Sequence, residues 1–482
     1  MPDLQIAVLV TYFIVIFGVG VYATRFIDDT TDFLLAGRRL GLLLATATLC
    51  ATHFGGGFVM GSGEWGFDFG LTGMAYAAGV GLSLIVLGLV AARRMRQLAM
   101  FTVPDYLALR YNSQVVRVLG AVLSLVAIIG IIGAQVWAAQ GALSIVGLDP
   151  TWAAIAATGL FIVYTALSGL WGVTLTDAVQ LAIIFVGVPV AAVMALGEAG
   201  GLEGIRAGIE GLDLSVSTDA FFHPLGAGLG MVLAAIVPTM MYTLIGQDFY
   251  QRLFAARDAN TARRAAVLAG VLLVLFAVFP VITGMAARAL FGGEIEAAQA
   301  IPKLITEVLP SAAAAIVIAA IVGAIMSTAD SLLMAGTAHV TNDLYVQLIN
   351  PEAERNNRRL LLISRIVTVI IGVLALWMAL AFEAIIDLLL MSYTLYAAGV
   401  FIPVVLGLYW QRGNAAGAIA GILGGSGLGV AGELDWIELS SLPLIGGFPV
   451  IATGALASLL LYVVVSLITP PGARDPALDD VG

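Results

Sequence analysis

Residues 50–58 read CATHFGGGF, placing a histidine and three successive glycines inside an otherwise apolar run. Glycine weakens a helix interior, and an ionisable imidazole is expensive in lipid. The reason for the interruption has to come from its surroundings. Of the 482 residues, 61% are hydrophobic and 11% charged, and the mean hydropathy is +1.04. Soluble domains carry roughly twice that charged share. Apolar stretches of about 20 residues, enough to cross ~30 Å of hydrocarbon, follow one another along the chain. The ten-residue alternation of a membrane barrel is missing. The chain reads as an all-α polytopic membrane protein.

Thirteen transmembrane helices are expected, over 5–23, 41–63, 71–92, 115–146, 151–170, 177–197, 225–247, 264–290, 310–342, 360–382, 385–409, 414–431 and 446–468. An odd count places the termini on opposite sides. With the N-terminus outside and the C-terminus inside, the inner loops hold Arg25, Arg38, Arg39, Arg93, Arg94, Arg96, Arg110, Arg117, Arg252, Arg257, Arg263, Arg264, Arg355, Arg358, Arg359, Arg365, Arg412 and Arg474, whereas the outer loops hold only Arg206, Arg288 and Lys303. Eighteen against three is a positive-inside bias that fixes the expected orientation. The opening MPDLQ has no basic n-region, so the first apolar run is expected to be a retained helix. Residues 469–482 are rich in Pro, Asp and Gly and are expected to form a disordered cytoplasmic tail. Cys50 is the only cysteine, which excludes an intrachain disulfide, and a net charge of −10 argues against nucleic-acid binding. No obligatory protein partner is apparent.

Non-helical backbone survives in a bilayer only where it is buried in protein or lines a cavity. The second expected span contains ATHFGGGFVMGSG (51–63). The seventh contains IVPTMMYTLIGQD (236–248), where Pro238 lacks a backbone donor and Gly246 follows. The two interruptions lie five helices apart, the pattern of a transporter site at the midplane between two repeats. Glycines alone would equally serve close packing, since Gly57 and Gly61 form a GxxxG. His53 has no use in packing, and its presence favours a site.

A second stretch, AIMSTADSLLMAGTAHVTNDLY (324–345), puts Ser327, Asp330, Ser331 and Met334 on one helical face. A lone serine here would bond back to the carbonyl four residues earlier. Adjacent hydroxyls at Ser327 and Thr328, with a carboxylate one turn on, instead match the several oxygen ligands a hard cation takes. Asp177, in SGLWGVTLTDAVQ (168–180), is open to two readings: a charge favouring a helix N-terminus, or a functional carboxylate. His339 and Asp343 are expected at the membrane interface.

Taken in this order, AGRRLG (36–41), GLWGVTLTDAVQ (169–180), GQDFYQR (246–252) and AIMSTADS (324–331) resemble the sodium/solute symporter family over nearly the whole chain. The resemblance implies a LeuT-type core of two inverted five-helix repeats, 41–197 and 225–409, with an extra helix at 5–23 and two at 414–468, in one domain spanning 1–482. It places Na+ on Ala51, Phe54, Ala324, Ser327 and Thr328, and matches Asp177 to an aspartate linked in some members to a further sodium site or to the exit path. Many members have a small or apolar residue at Asp330, but as an intramembrane carboxylate it is expected to join Asp177 as a second cation or proton site. The solute-facing set is expected to be His53, Gly55, Gly56, Trp137, Tyr242 and Gln247. In motif detail the chain looks most like the choline-transporting branch. Trp137 falls at a cage tryptophan of that branch, while His53 and Gly246 stand where two other cage residues would be. An imidazole facing the cavity suits a hydrogen-bonded polar or anionic solute.

The expected protein is a multi-pass plasma-membrane symporter, coupling Na+ to a small polar organic solute by alternating access. Proton coupling through His53, Asp177 or Asp330 is the nearest alternative, and a passive channel is the alternative of another class. The chain is not expected to be an enzyme: it has three histidines and neither an HExxH nor a nucleophile–base pair.

Overall fold

The computed structural model describes residues 2–353, 358–381, 385–438, 448–472 and 478. Arg355, Arg474, the start of the 446–468 span and most of the 469–482 tail therefore lie outside the described residues. Among the described residues the architecture is helical, with one isolated bridge between Leu40 and Ala256. Among the described residues, ten helices are long and apolar enough to cross a membrane, or eleven when a bent pair is counted as one span.

Helices α1 (Pro2–Ala23), α2 (Leu42–His53), α3 (Ser62–Phe69), α4 (Met74–Leu87), α5 (Val103–Tyr111), α6 (Gln114–Ser144) and α7 (Pro150–Glu198) make up the first part. Short polar residues mark their starts. Thr102 caps α5 by accepting from the Asp105 N–H, and Ser113 caps α6 in the same way. Asp149 caps α7 directly before Pro150, which needs no donor at the first helical position. At ~1.5 Å per residue, α7 would reach about 74 Å as one rod, far beyond one bilayer crossing. It is two helices joined at Gly169, whose φ of 53° and ψ of −149° only glycine adopts without strain. A Cβ there would collide with the Phe33 carbonyl. Asp177 consequently sits two turns inside the second piece of α7, past the reach of the helix-terminal field.

Helices α8 (Leu229–Thr243), α9 (Gln247–Ala255), α10 (Ala259–Phe276), α11 (Val278–Phe291), α12 (Ser311–Ala338), α13 (Arg358–Ala381), α14 (Ile385–Val405), α15 (Ala415–Glu433) and α16 (Val450–Ile468) complete the bundle. The second interruption differs from the expectation in its cause. Pro238 lies inside α8 without ending it, and the chain breaks at Leu244–Gly246, where α8 and α9 meet at 49°. Gly246 is extended (φ −63°, ψ 122°), so the helix restarts with Gln247.

At the centre stands α12, packed against α1, α2, α6 and α7. Within the long run Ser311–Ile349, 83% of the most apolar window is buried, against 28% for α1. A helix apolar on all sides belongs in the core of a bundle. Its serines and Asp330 therefore face protein. Outward-facing Ile14, Val193 and Leu275 are about two-thirds exposed, as lipid-facing side chains would be.

Candidate functional site

The break after α2 begins at Phe54 (φ −76°, ψ 35°), and a π-helical turn over Gly57–Gly61 restores the path into α3. The Thr52 carbonyl is thereby freed, the Ala51 carbonyl keeps only a tightened bond from the Phe54 N–H, and α12 meets both. The Ser327 hydroxyl lies 2.9 Å from the Ala51 carbonyl and 3.0 Å from that of Ala324. The Thr328 hydroxyl lies 2.9 Å from the Thr52 carbonyl and 3.2 Å from Ala324. Each hydroxyl has one proton to donate and lone pairs to spare. The fold thus gathers oxygens from Ala51, Ala324, Ser327 and Thr328, and adds Thr52. Phe54 offers its N–H to the Cys50 and Ala51 carbonyls and packs its ring against Phe58, Phe185 and Phe276. Gly55 allows this approach: a Cβ there would stand 2.8 Å from the Thr328 hydroxyl oxygen.

A cavity of about 290 Å³ opens beside this cluster. The first break contributes Thr52, His53, Gly55 and Gly57 to its wall, and α12 contributes Thr328 and Leu332. The second break contributes Tyr242, Asp248 and Phe249, while Ile131 and Gln135 come from α6. His53 stacks on Phe249, with ring centres 4.0 Å apart and planes 21° apart. Its Nε2 is buried without a hydrogen-bond partner. Tyr242 donates its hydroxyl to Asp248 Oδ1 at 3.2 Å.

Three residues expected to face solute lie elsewhere. Trp137 is 48% exposed on the far side of α6 and does not line the cavity. Gln247 is fully buried and ties the break to α5, accepting from the Val103 N–H at 2.8 Å and donating to the Phe101 carbonyl at 3.1 Å. Gly56 stands behind the wall, its N–H donated to Gln135 Oε1 at 3.2 Å. Gln135 and Asp248, which the sequence reading missed, are present instead. Gln135 was signalled by being an amide in an apolar span. Asp248 was signalled by lying two residues past the break.

Below the cavity, Arg252 draws the carboxylates together. Its Nε donates to the Thr48 hydroxyl at 3.0 Å, Nη1 to the Asp248 carbonyl at 2.6 Å, and Nη2 to the Ser331 hydroxyl. Thr48 in turn donates to Asp177 Oδ2 at 2.5 Å, and that oxygen lies 3.9 Å from Arg252 Nη2. Asp330 accepts from the Tyr164 hydroxyl at 2.5 Å. Asp177 and Asp330 thus share one buried cluster, and Asp177 Oδ1 has no partner in it. His339 and Asp343, expected at the interface, are fully buried. Their ring nitrogen and carboxylate pair at 2.8 Å, and Thr102 and Asn342 also donate to Asp343, so this second cluster joins the π-helical continuation of α12 (His339–Ile349) to the start of α5. Among the described residues, no three His, Cys, Asp or Glu side chains group as a metal ion would need.

Comparison with known proteins identifies relatives of this arrangement. The model of the "Sodium:solute symporter family" matches residues 33–425. The chain is 30% identical to the sodium/pantothenate symporter of Escherichia coli over 472 residues, 95% of each chain. It is 25% identical to high-affinity choline transporter 1 of Caenorhabditis elegans over 507 aligned residues, 96% of this chain and 85% of that one. Its fold is similar to that of a Na+-coupled sialic acid symporter solved in a substrate-bound outward-open state. The TM-score is 0.81 at 19% identity, covering 98% of this chain and 99% of that one.

Proposed function

This chain belongs to the sodium:solute symporter family, whose members are membrane transporters and not enzymes, and from that premise we propose that it carries a small polar organic solute together with Na+ by alternating access. The observation that carries the reading is the meeting of two hydroxyls of α12 with the Ala51 and Thr52 carbonyls of α2, beside a cavity of about 290 Å³. Na+ is a hard cation that takes several oxygens at once. Ser327 and Thr328 would turn their protons aside and offer lone pairs, joining the carbonyls of Ala51, Ala324 and Phe54 around the ion. Because these oxygens belong to two helices, separating α2 from α12 dismantles the site and releases the ion. The solute, bound against His53, Gly55 and Tyr242 at the same break, is released in the same movement.

Pantothenate, choline and myo-inositol appear in the names of relatives, which supports a small polar organic solute. Thirteen crossings follow when α7 is counted as two at Gly169 and each broken span as one. The arginine bias then puts the N-terminus outside, with inverted repeats at 41–197 and 225–409. Asp177, 3.9 Å from Arg252, and Asp330, held by the Tyr164 hydroxyl, form a further cation or proton site. The test is Na+-driven uptake in proteoliposomes by a Ser327→Ala/Thr328→Ala double variant. The half-saturating Na+ concentration is expected to rise at least about tenfold, equivalent to ~1.4 kcal/mol, while the protein still inserts. An unchanged value would overturn the assignment. Uptake driven by a pH gradient without sodium would move the coupling to the proton.

A further inference from the structure

We infer that Asp248 is the specificity-determining group of the cavity and that the solute carries a cationic nitrogen, seated on this carboxylate and framed by aromatic rings. The inference rests on the symport reading and deepens it by naming the solute's chemistry.

Asp248 is 2% exposed, yet it forms part of the cavity wall. Its Oδ1 accepts from the Tyr242 hydroxyl, and among the described residues no salt bridge reaches the carboxylate. Arg252 acts on it by charge alone, without a salt bridge. The guanidinium is bonded to the backbone carbonyl of Asp248, and its ion pair within 4.0 Å is with Asp177. A position in the first turn of α9 explains why a carboxylate is tolerated there. It does not explain why the side chain turns back to Tyr242 and the cavity. A buried carboxylate without a salt bridge is costly, and an ionisable group in a membrane interior is a functional feature by default.

The cavity wall contains no lysine or arginine, so an anionic solute would find no opposite charge there, whereas a cationic solute finds Asp248.

Asp248 is also poorly furnished for a second Na+, which would need several oxygens. Its neighbours are rings. Tyr242 meets Tyr393 edge to face at 4.8 Å and 82°, and meets Phe249 at 6.1 Å and 84°. Tyr242 stands nearly at right angles to both neighbouring rings, and aromatic faces gathered in this way attract a large, weakly hydrated cation. This group of rings is built from the second break and α14, so it does not depend on Trp137.

Purified full-length protein with Na+ would be titrated, following thermal unfolding, with choline, with glycine betaine, and with 3,3-dimethyl-1-butanol, the uncharged isostere of choline. Choline or glycine betaine is expected to raise the unfolding temperature, and the isostere is not. Choline alone would mark a cationic solute, and glycine betaine a zwitterion. Asp248→Asn should weaken the effective probe at least tenfold and leave stabilisation by Na+ alone intact. Should that variant not fold, Tyr393→Leu must weaken the probe by a similar factor. The inference is overturned if the isostere binds as well as choline, if neither charged probe binds, or if the variant that folds binds like the parent. If Na+ does not stabilise the parent protein, the symport reading fails independently of what the probes do.

Discussion

The two helix breaks solve one problem with different side chains. In a dry interior, every carbonyl freed by a break must find a donor. At the first break, the carbonyls of Ala51 and Thr52 meet the hydroxyls of Ser327 and Thr328. At the second, the Leu244 carbonyl accepts from the Tyr250 hydroxyl at 2.9 Å, and the Ile245 carbonyl accepts from the Tyr396 hydroxyl at 2.9 Å. Serine and threonine hydroxyls sit on short side chains and can rotate from donor to ligand. A tyrosine hydroxyl at the end of a buried ring has no such freedom and occupies the space an ion would need. The first break thus keeps rotatable hydroxyls against its carbonyls, whereas the second is plugged by tyrosine rings.

Substitutions can break this contrast. The largest effect is expected from Gly55→Ala, whose Cβ would press on the Thr328 hydroxyl oxygen from 2.8 Å. The half-saturating Na+ in proteoliposome uptake should rise about tenfold or more, ~1.4 kcal/mol in affinity. Next comes Tyr396→Phe, which leaves the buried Ile245 carbonyl without its donor. About 1–3 kcal/mol of stability should be lost in thermal unfolding, with the Na+ dependence of uptake unchanged. A raised Na+ requirement in that variant would mean that the second break also serves the ion. Tyr250→Phe should cost less, roughly 1 kcal/mol, because Leu244 sits at the end of α8. Trp137→Ala, remote from both breaks, should leave solute affinity unchanged; a severalfold loss would return the tryptophan to the cavity.

The meeting of the first break with α12 was legible because its signals are local. Glycines and a histidine in an apolar run mark a break, and neighbouring hydroxyls mark the helix that meets it. Asp177 and Asp330 could be picked out one at a time, but not Arg252 as the group that joins them, because that meeting is made by four helices. The solute side depends on which face of a helix points inward. Gln135 and Trp137 are two residues apart, about 200° around the helix, so they cannot both face the cavity. Ile131, one turn from Gln135, shares its face and lines the wall. Mapping by family motif chose the tryptophan, while polarity within the span would have chosen the glutamine. Gln247 looked solute-facing because it adjoins the break, but the freed N–H of Val103 at the start of α5 claims it.

The hydroxyl contacts at the first break also bear on turnover. A coupled carrier must bring its unloaded form back across the membrane as often as its loaded form. Bare carbonyls facing one another between two closing helices would repel and raise the barrier to that return stroke. Ser327 and Thr328 can close the carbonyls of Ala51 and Thr52 without help from an ion. Removing both hydroxyls would therefore slow the return leg as well as weaken the grip on sodium. Exchange, which skips the unloaded return, would be spared relative to net uptake.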